Sequence, residues 1–169
     1  FQDLTVEQHL TLTASIYGTD RSAERIASLL NEFDLEFKRH TPAADLSRGM
    51  RQKLAICCAY LHDPQAVLLD EPMTGLDPRS IRVLMQSIAR RAELGAAVVI
   101  SSHLLALVEG ICSHVMILDV GHQRFYGTID ELRSVFPDLH AEASLEEIFF
   151  RAIDGQDPTV ETATCGEVC

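Results

Sequence analysis

Four apolar residues, Ala66-Val67-Leu68-Leu69, run without a break into two carboxylates, Asp70 and Glu71. A run this short and apolar predicts a strand buried on both faces, as in a parallel sheet. The two acids at its end constrain the fold further, because a buried charge without a partner is costly. Either local backbone N–H groups satisfy the pair, or something cationic does. In open α/β sheets the carboxyl ends of the strands form the ligand crevice, so a hydrated divalent metal with a polyanionic ligand fits this position.

The pattern on either side sets the fold class. Apolar residues at Val6, Leu10 and Tyr17 predict a helix over 5–17, and Ile26, Leu29, Leu30 and Phe33 a second over 21–33, with Gly18 between them. Thr41-Pro42 breaks the pattern, and a third helix is expected over 47–61, before Asp63-Pro64. After the acids come a helix over 78–94 closed by Gly95, a second buried strand over 96–100 and a helix over 104–111. Strand, helix, strand, helix implies right-handed parallel crossovers and an α/β core. A third strand over 115–118, a turn at Asp119-Val120-Gly121 and a hairpin partner over 123–126 follow, with helices over 130–136 and 144–153. The aperiodic polar composition of 154–169 predicts a disordered tail.

Composition excludes several classes of function. With 169 residues and 47% apolar content the chain is expected to build one ordinary core. A net charge of -11 argues against a general nucleic-acid or anionic-membrane binder, which needs a basic face. The longest apolar runs, 54–61 and 96–100, fall short of a membrane span. Phe1-Gln2-Asp3 lacks the features of a signal peptide and reads as a cut end. The five cysteines suggest no disulfide framework, and Cys165 and Cys169 supply at most half a metal site. A reducing compartment is the expectation.

Three further segments carry candidate chemistry. Asp77-Pro78 has the residues of a helix start, a structural role sufficient in itself. Ser47 likewise suits a cap, but Gly49 is a poor first-turn residue, costing about 1 kcal/mol against Ala, so its use is sought in close backbone approach by a ligand. Arg48, Arg51 and Lys53 oppose the helix dipole unless an anion is present, and the helix start reads as a phosphate site or, alternatively, as an exposed basic turn. His103, after Ser101-Ser102 at the end of the second strand, falls on the same sheet edge as Asp70 and Glu71. His9, His40, His62, His114, His122 and His140 show no metal-ligand spacing.

Taken in order, Leu46-Ser47-Arg48-Gly49-Met50, Leu68-Leu69-Asp70-Glu71-Pro72, Gly75-Leu76-Asp77-Pro78 and Ser101-Ser102-His103 resemble the signature, Walker B, D-loop and switch-histidine motifs of ABC ATPases. The resemblance covers residues 1 to about 153, with Asp3-Leu4-Thr5-Val6 similar to the segment after the Q-loop and Gly121 and Tyr126-Gly127-Thr128 to the closing hairpin. Leu145-Glu146-Glu147-Ile148-Phe149 is similar to the terminal helix of subunits serving bacterial exporters, and Arg48 and Met50 stand where Gly and Gln are commoner.

That resemblance implies an α/β fold, the C-terminal half of a RecA-like P-loop NTPase core with the ABC helical subdomain at 1–63, the core at 64–153 and the tail beyond. It implies that Ser47 and Gly49 bind the γ-phosphate of ATP held by a second ATP-binding subunit in a head-to-tail dimer, with Arg48, Met50 and Asp77 also among the cofactor-binding residues. Asp70 would hold Mg²⁺ through water, Glu71 would act as general base, Asp77 would couple the two sites, and His103 would be the γ-phosphate switch. It further implies a membrane permease as partner, no nucleic acid, and a cytoplasmic place on the inner face of the cell membrane. No G-x-x-x-x-G-K-[ST] occurs, so this chain alone is expected neither to bind ATP tightly nor to hydrolyse it, and to expose apolar sheet edge. The competing readings are a non-enzymatic remnant and a soluble, non-transport ABC ATPase. A repair-type ATPase would need a long coiled coil, and a ribosome-bound type a basic, twinned chain.

Overall fold

A computed structural model describes residues 1–136 and 143–154. His140, Cys165, Cys169 and the expected tail beyond 154 lie outside them. The described chain forms two compact units, Phe1–His103 and a second beginning at Leu104.

The first unit opens with three helices. In α1, Val6–Tyr17, Thr5 and Gln8 form a reciprocal capping box, and Gly18 closes the helix at φ 61° in the left-handed region that glycine takes without strain. Next come α2, Ser22–Glu32, and two single 3₁₀ turns, Glu36–Lys38 and Ala43–Asp45, that the sequence pattern did not predict. Their short i to i+3 bonds carry no apolar periodicity. The third helix, α3, runs Arg48–Tyr60. Leu10, Leu30, Leu35, Cys57 and Leu61 are fully buried in the core these helices share.

Strand β1, Ala66–Asp70, pairs in parallel with β2, Ala97–Ser101, through the crossover helix α4, Pro78–Glu93. The register runs end to end, Ala66 opposite Ala97 and Asp70 opposite Ser101. The expectation of strands buried on both faces is corrected here. Val67 and Leu69 are buried, whereas Leu68 is 79% and Val99 61% exposed, so one face of the pair is open. A two-stranded sheet with helices on one side only leaves alternate side chains uncovered. The apolar exposure is therefore a whole face rather than an edge.

Arg91, near the end of α4, joins that helix to α2 and α3. Its guanidinium lies 3.6 Å above the Tyr60 ring, its Nη1 donates to Ser87 Oγ at 2.8 Å, and it reaches Glu32 at 3.7 Å. Burial pushes the Tyr60 hydroxyl up to about 12, so the ring stays neutral under the cation.

In the second unit α5, Leu105–Val108, is a single turn, much shorter than the helix expected over 104–111. Glu109, Gly110 and Ile111 form a turn in the rest of that span. Strand β3, His114–Asp119, pairs antiparallel with β4, His122–Thr128, across a turn at Val120 (φ 47°) and Gly121 (φ 78°). Two successive positive φ values match the twist of a tight hairpin, at a cost for the branched Val120. Among the described residues β3 pairs with β4 alone, so the third strand does not extend the parallel pair. Helices α6, Ile129–Val135, and α7, Leu145–Asp154, complete the unit, with Arg133 donating to Glu109 at 2.8 Å. No described helix is long and apolar enough to cross a membrane.

The open face predicts a sharp contrast in stability. Leu84→Ala, at a fully buried α4 position, should cost about 2–5 kcal/mol in urea denaturation, while Leu68→Gln should change stability by less than about 0.5 kcal/mol.

Candidate active site

The β1–β2 register places three of the expected site residues together. Asp70 ends β1 opposite Ser101, whose hydroxyl donates to Asp70 Oδ1. Glu71, the next residue, turns to φ 45°, a left-handed conformation costly for a residue with a side chain. Its N–H donates to the Ser101 carbonyl at 3.1 Å and contacts Ser101 Oγ at 3.2 Å. The turn carries the Glu71 carboxylate toward the end of β2. There Oε1 accepts the His103 backbone N–H at 3.0 Å, and Oε2 meets His103 Nδ1 at 2.7 Å and the Thr74 hydroxyl at 3.4 Å. The His103 backbone N–H and ring nitrogen thus bond Glu71, and the Ser101 hydroxyl bonds Asp70.

A second cluster forms where the signature segment meets the loop after Glu71. Pro72 and Met73 are fully buried and anchor that loop, and Thr74 N–H donates to the Glu71 carbonyl at 3.1 Å. Gly75 follows at φ 81°. A Cβ built on Gly49 would stand 2.7 Å from the Gly75 carbonyl oxygen, and one on Gly75 would stand 3.2 Å from the Arg48 side chain. The close approach that Gly49 permits is therefore to the chain's own loop. This gives a packing reason for a glycine assigned from sequence to a ligand's approach.

Ser47 is the N-cap of α3, exposed, its Oγ accepting the Met50 N–H at 3.2 Å. An oxygen used as acceptor keeps its own proton to donate outward. Of the three cations expected to draw an anion, Arg51 instead folds back and donates to the Leu46 carbonyl. Asp77 caps α4, accepting the N–H groups of Arg79 at 3.0 Å and Ser80 at 3.1 Å and the Ser80 hydroxyl at 2.5 Å. These bonds, the Ser80 hydroxyl first, hold its carboxyl below the usual carboxylate range.

Sequence reasoning quoted Ser101 within a motif without giving it a role, and passed over Thr74. A partial signal existed for Ser101, since it follows the second expected strand as Asp70 follows the first, but the register that sets the two opposite each other comes from the fold.

Among the described residues no group of three or more His, Cys, Asp or Glu side chains could cage a metal. The donor set at Asp70 suits Mg²⁺, which keeps several waters and is commonly held by one or two carboxylates and substrate phosphates.

The fold and this edge define a class. A family model for an AAA domain, whose description also refers to the AbiEii toxin of type IV TA systems, matches residues 6–109. The ABC-type transporter ATP-binding protein EcsA of Bacillus subtilis is 37% identical over 156 residues, 87% of this chain and 63% of that protein. The doxorubicin resistance ATP-binding protein DrrA of Mycobacterium tuberculosis is 33% identical over 141 residues, 82% of this chain and 43% of that protein. A solved structure of an ATP-binding subunit of an ABC transporter superposes with a TM-score of 0.84 at 36% identity, covering 90% of this chain and 64% of that one. The chain thus spans 63% of EcsA's length. It belongs to the family of ABC transporter ATP-binding proteins and has their α/β fold of P-loop NTPase type.

Two predictions follow from the contacts of the second cluster. Alanine in a helix normally gains about 1 kcal/mol over glycine, but Gly49→Ala should be destabilising, because overlap with a backbone carbonyl costs about 1–3 kcal/mol and the loop must move. Thermal melts of the two chains would show it. For Asp77, a folded-state pKa below the unfolded value means its contribution to stability is present above the unfolded value, near pH 4, and is lost as pH falls through the folded one. Asp77→Asn should flatten the acid limb of a pH-dependent unfolding curve and leave its neutral limb with the same slope.

Proposed function

We propose that this segment is the part of an ABC transporter ATPase that hydrolyses ATP and answers its partner subunit, powering export through a separate membrane permease. The observation that carries the reading is the Glu71–His103 pair beside Asp70 at the carboxyl edge of a parallel strand pair. Phosphoryl transfer asks for positioning and charge neutralisation more than covalent chemistry. Glu71 sits where a carboxylate can accept a proton from an attacking water, and His103 can exchange its bond to Glu71 for one to the γ-phosphate. Asp70 would hold Mg²⁺ through water, and that ion, when bound, neutralises charge on the phosphate oxygens. Ser47 and Gly49 would meet the γ-phosphate of ATP held by a second ATP-binding subunit in a head-to-tail dimer, with Arg48 and Met50 beside them at the cofactor-binding segment. Asp77, on the loop packed against Gly49, would relay between the two sites.

Export draws support from the relatives' names, since DrrA is a doxorubicin resistance protein and a protein of Cupriavidus metallidurans, 30% identical over 132 residues, is a Nod factor export ATP-binding protein. Such a subunit would lie on the cytoplasmic face of the cell membrane. The chain holds no phosphate-binding P-loop motif, so by itself it should show no turnover.

In an ATPase that joins this segment to a P-loop, Glu71→Gln should leave ATP affinity within about twofold and lower turnover by at least about a hundredfold, in keeping with general-base loss. Equilibrium binding of a fluorescent ATP analogue and phosphate release measure the two. Lost binding would make Glu71 structural, and steady turnover by the present chain alone would contradict the need for a P-loop.

A further inference from the structure

We infer that Ser101 is a positioning residue of the hydrolytic site, holding the metal-bearing carboxylate and the general base in one arrangement. The inference rests on the ATPase reading above and adds to it a residue without a role there. Ser101 ends β2 directly opposite Asp70. Its hydroxyl donates to Asp70 Oδ1, its Oγ lies 3.2 Å from the Glu71 N–H as an acceptor, and its backbone carbonyl accepts that same N–H at 3.1 Å. A hydroxyl can serve both neighbours at once, because its proton goes to the carboxylate while a lone pair faces the amide. Neither an aliphatic side chain nor a carboxylate offers this combination.

Two features of the site depend on these bonds. Glu71 stands at φ 45°, and such a residue keeps an unfavourable backbone only when its surroundings over-determine it. The Ser101 contacts lie on the very N–H that leads into that turn. Asp70 is exposed at the strand end, where a carboxylate free to turn about two side-chain bonds would otherwise sample several rotamers. Fixing one oxygen by the Ser101 hydroxyl directs the other, and a catalytic group held by its neighbours loses less on reaching the reactive geometry. Ser101 touches no reacting atom and acts through Asp70 and Glu71.

The test compares Ser101→Ala with Ser101→Thr, since threonine keeps the hydroxyl and suits a strand. In the present chain, free of nucleotide and metal, NMR should show the Asp70 carboxyl carbon and Glu71 amide resonances displaced in Ser101→Ala and returned in Ser101→Thr, with circular dichroism confirming the fold of both. In an ATPase joining this segment to a P-loop, Ser101→Ala should lower kcat about tenfold, the scale of one hydrogen bond to a charged group, with the KM for ATP within about twofold. It should also raise the Mg²⁺ concentration needed for half-maximal rate, and Ser101→Thr should restore both. Unmoved resonances, a kcat for Ser101→Ala equal to the parent's, or a folded Ser101→Thr as impaired as Ser101→Ala would each overturn the inference. If the parent ATPase shows no turnover that Glu71→Gln abolishes, it is the ATPase reading that falls, while the resonances still decide whether Ser101 holds Asp70.

Discussion

The end-to-end parallel pairing of β1 with β2 decides where Asp70, Glu71, Ser101 and His103 stand. Side chains alternate along a strand, so a slip of one residue would set Asp70 opposite Ile100, whose side chain points to the other face. Ser101 would then no longer reach Asp70, and His103 would be carried away from Glu71. The unusual turn at Glu71 depends on the same register, because the carbonyl that receives its N–H belongs to Ser101.

Register in turn depends on the helix that connects the strands. Asp77 starts α4 with three accepted bonds, and Arg91 near its end locks onto Tyr60, Ser87 and Glu32. Between Glu71 and Asp77 runs the loop 72–76, held by buried Pro72 and Met73 and pressed against Gly49 by Gly75. A change at the start of α3 therefore meets Glu71 through the short stretch of chain from Gly75 back to Pro72 rather than through solvent. Arg91 ties the far end of α3 to α4, so the two helices are connected at both ends and the short loop is left as the place where movement between the signature and Glu71 is taken up.

Much of this was legible in the sequence. The apolar period gave α1, α2, α3 and α4 to within one or two residues, and for α1, α3 and α4 the caps Thr5, Gly18, Ser47 and Asp77 are local signals. The sheet edge holding Asp70, Glu71 and His103 followed from strand ends alone. Burial did not follow, since an apolar run reads the same whether both faces are covered or one, and Leu68 and Val99 proved open. The two 3₁₀ turns escaped because they are too short to show a period, and the helix expected over 104–111 proved a single turn. Gly49 was noticed for the right reason, a need for close approach, but the partner that approaches is Gly75, and only a folded chain reveals contacts between residues 26 positions apart.

The open face bears on the chemistry as well as on stability. Ala66, Leu68 and Asp70 share one side of β1, and Ala97, Val99 and Ser101 the matching side of β2. The apolar pair and the Asp70–Ser101 bond thus belong to a single surface that is exposed in this chain. A group that covered the whole face would take water from Asp70 as well as from Leu68 and Val99. Interactions among charges strengthen as the local dielectric falls, and the penalty for an unpaired carboxylate rises with them. Covering the face therefore favours the chain only if it brings a cation, or donors for Asp70, along with apolar contact. Apolar burial of Leu68 and Val99 and charge compensation at Asp70 are therefore coupled through one surface.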